Sequence, residues 1–272
     1  MSAAAIHEAL LALGCGGIVG FTLGLIGGGG SIMATPLLLY VVGLSPHAAI
    51  GTGALAVSAN AFANFGGHAR IGNVRWRCAA IFSVVGVAGA AIGSMLGKQV
   101  DGNRLLFLVA LLMIVVGVMM LRRRPAAVNV AQAGRICGDW SPEGRSPLPL
   151  IGAALLVGML SGFFGIGGGF LIVPGLLFAT GMPMICAIGS SLLAVGAFGL
   201  TTAVSYSFSG FVLWTVALEF IAGGIIGGLL GMVLATRLAP RRAALNRIFA
   251  TLVFLVAGYM LYRNALVIFH HA

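Results

Sequence analysis

A glycine cluster that leads to a proline occurs twice in this chain, and the repetition constrains the fold more than any other feature. Gly27-Gly28-Gly29-Gly30-Ser31 leads to Pro36, and Gly165-Ile166-Gly167-Gly168-Gly169 leads to Pro174, an offset of 138 residues. The same offset pairs Gly20 with Gly158, Gly24 with Gly162, Gly43 with Gly181, Ile50-Gly51 with Ile188-Gly189, Gly72 with Gly210, Trp76 with Trp214 and Gly93 with Gly231. No gap is needed over more than seventy residues. The chain therefore reads as two homologous halves, roughly 8–121 and 148–264, joined by a polar linker.

Composition defines the solvent around those halves. With 60% apolar and 7% charged residues, the chain cannot cover a water-facing surface, which predicts an all-α polytopic membrane protein. A β-barrel is excluded because the apolar runs are continuous rather than alternating. The expected segments are 8–26, 31–44, 48–66, 76–97 and 104–121, then 150–164, 169–182, 184–205, 212–235 and 247–264. Segments 31–44, 150–164 and 169–182 fall short of the roughly 20 residues needed to span a bilayer, and each touches a glycine cluster. Re-entrant or broken helices are expected there, because backbone freed from the helical ladder survives at membrane depth only where protein or water covers it. The start Met1-Ser2-Ala3-Ala4-Ala5 has no basic region before the first apolar run, so no cleaved signal peptide is expected.

Charge placement predicts orientation. Residues 122–147 carry Arg122-Arg123-Arg124, Arg135, Arg145 and several prolines, reading as a basic cytoplasmic linker between domains 1–121 and 148–272 rather than a nucleic-acid-binding module. The turn 66–77 holds Arg70, Arg75 and Arg77, whereas its duplicate 204–215 holds no charge. Conversely, 235–247 holds four arginines, against Lys98, Asp101 and Arg104 in 97–104. Placing the basic segments inside gives each half an odd number of spans, so the halves would be inverted copies, as in many secondary transporters.

Inverted glycine breaks bring free N–H groups and positive helix ends toward the midplane, where they can hold an anion without a full positive charge. The candidate cradles are Gly27, Gly29, Gly30 and Ser31 in the first half and Gly165, Gly167, Gly168 and Gly169 in the second. A second matched patch sets Thr52 against Ser190 and Ser191, hydroxyls that can donate to an oxyanion or bond within the helices. Polar side chains follow it: Ser58, Asn60 and Asn64 in one half, Thr201 and Thr202 in the other. Glycines such as Gly89, Gly93, Gly227 and Gly231 read instead as close-packing faces. Glu219 is the acidic residue well inside an expected span, a candidate for proton coupling or gating. His68, beside Arg70, reads as a loop histidine that is solvated or contacts substrate.

Trp76 and Trp214 begin helices and suit interfacial anchors. Cys15, Cys78, Cys137 and Cys186 are scattered without metal or disulfide spacing and read as filler. The glycine clusters have no strand before them and no following Lys-Ser/Thr pair, so no nucleotide, metal or other cofactor is expected. No nucleophile–base pair appears either, and the chain does not read as an enzyme.

Gly20, Gly24, Gly27, Gly29 and Gly30 ending at Pro36, with Gly158, Gly162, Gly165, Gly167, Gly168 and Gly169 ending at Pro174, resemble the paired signatures of the TauE/SafE family. The resemblance spans almost the whole chain. It implies a permease of the bacterial inner (plasma) membrane that exports sulfite or an organosulfonate such as sulfoacetate. The cradles are unequal, since Ser31 stands where the second copy has Gly169 and Gly28 where it has Ile166. The leading expectation is therefore a secondary transporter exporting a small sulfur-containing anion by alternating access. Its partners would be that anion, membrane lipids and a possible second copy of the chain, but no nucleic acid. A proton- or cation-linked transporter of another solute, or a membrane scaffold whose glycines serve packing alone, are the alternative readings.

Overall fold

The computed structural model describes residues 3–122, 148–165, 169–238, 251, 254–259 and 261–262. Helix α1 (Ala3–Ile26) runs directly into a 3-10 helix (Gly27–Met33) and then α2 (Ala34–Tyr40). Next come α3 (Pro46–Arg70), α4 (Trp76–Gly97) and α5 (Gly102–Arg122). The second half supplies α6 (Leu148–Phe164), α7 (Gly169–Thr180), α8 (Met184–Ser207) and α9 (Trp214–Leu238). The described residues are helical with short turns, and the chain is a polytopic membrane protein. Four stretches are long and apolar enough to cross a bilayer: His7–Ile26, Trp76–Gly97, Ile185–Ser207 and Trp214–Arg237. Helix α3 has 25 residues, about 37 Å at 1.5 Å each, but interrupts its apolar character with Ser58, Asn60, Asn64 and His68.

Contacts between the halves are reciprocal. Gly20 of α1 packs backbone to backbone on Gly224 of α9, and Gly158 of α6 packs in the same way on Gly86 of α4. Gly24 meets Gly228 as Gly162 meets Ala90, and Gly27 meets Ile188 as Gly165 meets Ile50. Each pair becomes the other when one partner advances by 138 residues and the other retreats by 138, the relation a two-fold axis produces. Helices α3 and α8 cross on that axis, where the Ser58 hydroxyl donates to the Gly196 carbonyl at 2.7 Å, itself a 138-residue pair. They run antiparallel: Gly51 lies beside Tyr206, Ser58 beside Gly196, and Gly199 beside Ala54.

The six positive-φ residues among those described are all glycines and form three pairs at this offset: Gly27 and Gly165, Gly43 and Gly181, Gly72 and Gly210. At Gly27 (φ 72°) and Gly165 (φ 62°) the chain leaves a long helix, a turn that a Cβ would strain. The first break is less open than the sequence suggests. Gly27–Met33 tightens into a 3-10 helix, which keeps most of its backbone groups paired within the segment.

Side chains facing away from the helix contacts are apolar and exposed, among them Val84, Met95, Leu148, Leu156, Leu218 and Ile226. Such a surface suits lipid rather than water. Trp76 and Trp214 are exposed to nearly the same degree, 59% and 58%, as helix-end anchors would be. Cys15 and Cys186 are free thiols, but Cys78 is disulfide-bonded, so the filler reading of the cysteines fails at Cys78. The linker 122–147 beyond Arg122 and most of 247–264 lie outside the described residues.

Candidate functional site

The two glycine breaks converge. Gly28, in the 3-10 helix, packs against Gly169 at the start of α7, with the Ser31 hydroxyl alongside. The Gly28 N–H donates to Ser191 Oγ at 3.2 Å, and Ser191 donates in turn to the Ile188 carbonyl at 2.8 Å. Ser31 Oγ donates back to the Gly28 carbonyl at 2.9 Å. Gly28, Ser31, Gly169 and Ser191 thus meet where α1, α7 and α8 come together, and both serines are fully buried. Gly30 packs on the backbone of Thr22 and Leu23, and Gly29 sits within the 3-10 helix. Gly167 and Gly168 lie outside the described residues.

Thr52 and Ser190 lie a short step from this junction and play matched roles. Thr52 Oγ1 accepts the Leu213 N–H at 3.0 Å, and Ser190 Oγ accepts the Arg75 N–H at 2.9 Å. Leu213 and Arg75 are themselves 138 residues apart, each one residue before a long helix. Each half therefore supplies a hydroxyl to the helix entry of the other. Glycines at 51 and 189 admit the approach, since a Cβ there would press on the backbone of Phe211 and Asn73 respectively.

The sequence pattern predicts a loop at His68, but α3 continues through it to Arg70. His68 lies in the last turn of α3 at 0% exposure, and neither ring nitrogen has a hydrogen-bond partner. The Gly24 backbone is a polar neighbour at a geometry short of a hydrogen bond. One and two turns earlier on α3, Asn64 and Asn60 abut Gly228 and Gly224 of α9. The Asn64 amide donates to the Asn60 carbonyl at 2.9 Å, while both amide atoms of Asn60, also at 0% exposure, stay unpaired. Each unpaired buried polar group costs about 1–3 kcal/mol, so these side chains are not explained by packing. Glu219 is half-buried on α9, five residues before Gly224.

A groove of ≈ 270 Å³ lies elsewhere, on the outer side of α8, lined by Leu55, Leu200, Ala203, Val204, Ser207, Phe208, Val212 and Trp214. Its walls are apolar and it touches neither glycine break, so it suits a lipid chain better than an anion. Among the described residues no three His, Cys, Asp or Glu side chains cluster as metal ligands.

Residues 12–260 match the family described as sulfite exporter TauE/SafE. A probable membrane transporter protein of Xylella fastidiosa (strain 9a5c) is 54% identical over 260 residues, covering 95% of this chain and 97% of its own. The probable membrane transporter protein YunE of Bacillus subtilis is 28% identical, covering 76% of this chain and 81% of its own. MJ0441 of Methanocaldococcus jannaschii, also a probable membrane transporter protein, is 26% identical over 58% of each chain. No solved structure matches.

Proposed function

We propose that this chain, which belongs to the sulfite exporter TauE/SafE family and is a membrane transporter, exports a small sulfur-containing anion across the bacterial inner membrane by alternating access. The observation that carries this reading is the junction of Gly28, Ser31, Gly169 and Ser191. It brings N–H and hydroxyl groups from both halves to one buried point without a charged side chain. In the packed state these donors are spent on Ser191, the Ile188 carbonyl and the Gly28 carbonyl. Once a shift of the halves releases them, neutral donors hold an oxyanion while leaving it free to depart, and the membrane potential supplies roughly 2.3 kcal/mol per charge per 100 mV toward export. Antiparallel counterparts and reciprocal contacts support inverted halves that rock about the two-fold axis.

Flux from proteoliposomes tests the substrate. Sulfite or sulfoacetate should leave faster than chloride, sulfate or a metal cation, with a rate that rises with inside-negative voltage. Equal flux for a cation would turn the reading toward a cation-linked transporter, and no flux for any solute toward a scaffold. In the same assay Glu219→Gln, which keeps shape but not ionisation, should flatten the dependence of rate on pH while leaving voltage dependence in place. An unchanged pH profile removes Glu219 from coupling and leaves the anion reading standing.

Orientation has its own test. Cysteines introduced at Ser141 and Ser207 should react with an impermeant thiol reagent from opposite sides of the membrane, Ser141 from the cytoplasm. Reaction of both from one side would overturn the inverted arrangement.

A further inference from the structure

The two halves form the same seam twice, and the copies differ at the level nearest the two-fold axis, polar in one and aromatic in the other. In the first half α3 lays Asn60, Asn64 and His68 along α9 and α1, against Gly224, Gly228 and Gly24. The register of 138 residues puts Phe198, Thr202 and Tyr206 of α8 at the corresponding places. Phe198 does there what Asn60 does in the first seam: it abuts Gly86 of α4, the counterpart of Gly224. It also stacks on Phe82 with ring centroids 6.1 Å apart, which closes that level with two aromatic rings.

Phe198 at the place of Asn60 bears on what the polar side chains are for. The groove over a glycine at this level is filled by phenylalanine in one half, so filling it does not require an amide. Asn60 nevertheless keeps both amide atoms unpaired at 0% exposure, and His68 both ring nitrogens. The second seam retains unpaired hydroxyls at Thr202 and Tyr206, but its phenylalanine level separates them from the two-fold axis at Ser58 and Gly196. Groups that lack partners in the packed state, along one face and spread over about 12 Å of helix, find them when the seam parts. Amide and imidazole N–H groups are neutral donors, and the amide oxygen can accept from a protonated ligand.

Building on the anion-transport reading above, we propose that the α3–α9 seam, lined by Asn60, Asn64 and His68, is the lane along which a small oxyanion crosses. The α8–α4 seam is its dry counterpart.

The test copies one half into the other. Asn60→Phe should lower sulfite flux in proteoliposomes at least tenfold while the thermal midpoint of the purified protein stays level or rises. Phe198→Asn should leave flux within about twofold. Where Asn60→Phe does not fold, Asn60→Leu carries the same expectation. Flux retained in either folded variant overturns the proposal. A second measurement needs no substrate. With Cys15 and Cys186 replaced by serine, Asn64→Cys should react with an impermeant methanethiosulfonate in membrane vesicles, and Thr202→Cys should not. Equal reaction at both, or none at position 64, overturns the lane. If the parent chain moves no sulfite, the substrate reading fails and the thiol asymmetry alone decides the lane.

Discussion

Gly20→Leu should leave almost no folded protein in the membrane, and Gly158→Leu should do the same. The reason lies in backbone geometry rather than in the chemistry of either glycine. A Cβ on Gly20 would press on the Gly224 carbonyl, and one on Gly158 would press on the Gly86 carbonyl, with no flexible side chain to move aside. Relief requires α1 to separate from α9, or α6 from α4, along contacts that repeat at Gly16, Gly24, Gly89 and Gly93. The loss should exceed about 3 kcal/mol, the upper part of the range for overpacking, because close approach is what holds such helices together in lipid. Gly152→Leu is the control, since nothing lies within 4 Å of a Cβ there. Size-exclusion profiles and thermal midpoints in detergent give the comparison. Normal folding of Gly20→Leu would mean that the α1–α9 contact is dispensable.

A second large effect is expected at the junction of the breaks. A Cβ on Gly169 would press on the Gly28 carbonyl as one on Gly20 presses on Gly224, so Gly169→Leu should likewise leave little folded protein. Ser31→Leu is the variant that reads flux: it fills the junction from a side chain and should lower flux per folded molecule at least a hundredfold. Ser191→Ala is the milder form. It leaves the Gly28 N–H without its partner, at a cost of about 1–3 kcal/mol, and flux should fall roughly tenfold. The thermal midpoint should drop only a few degrees. Both serine variants are read in proteoliposomes after correction for folded protein. Full flux in folded Ser31→Leu would take the junction off the transport path.

What the sequence made legible follows from how each kind of information is encoded. Helix existence and order are legible, since apolar run length and Pro or Gly punctuation are local properties. The segment 76–97 matches Trp76–Gly97 at both ends, whereas 8–26 starts five residues inside α1 (Ala3–Ile26) and 48–66 stops four residues before the end of α3 (Pro46–Arg70). The glycine spacing likewise announces close-packed faces on α4 and α9, through Gly89, Gly93, Gly227 and Gly231. The partner faces on α1 and α6 are made by Gly20, Gly24, Gly158 and Gly162, which read in sequence as members of the repeat. Partnerships were not legible. Thr52 and Ser190 carried the right offset, yet nothing local says that each accepts an N–H more than a hundred residues away in the other half. His68 reads as a loop residue in sequence because Gly66-Gly67 beside it looks like a turn. In fact α3 continues to Arg70, Gly67 letting Met232 approach. Asn60 is one polar residue of a patch in sequence, and what sets it apart is a packing fact, that Phe198 fills the matching place.

The reciprocal caps set an order of events during synthesis. Arg75 ends the turn before α4, but the hydroxyl that accepts its N–H is Ser190, 115 residues later. At roughly 5–20 residues per second, the ribosome takes on the order of ten seconds to deliver it. Helix α1 waits longer still, because its glycine face is completed only when α9 is made. During that interval the first half sits in the bilayer with its adhesive stripe bare, able to pair with any other small-residue helix nearby. A nascent chain of this design must be shielded by the insertion machinery or by speed, and neither half can mature by itself. Split between two genes, the halves would have to find each other in the membrane before either was finished.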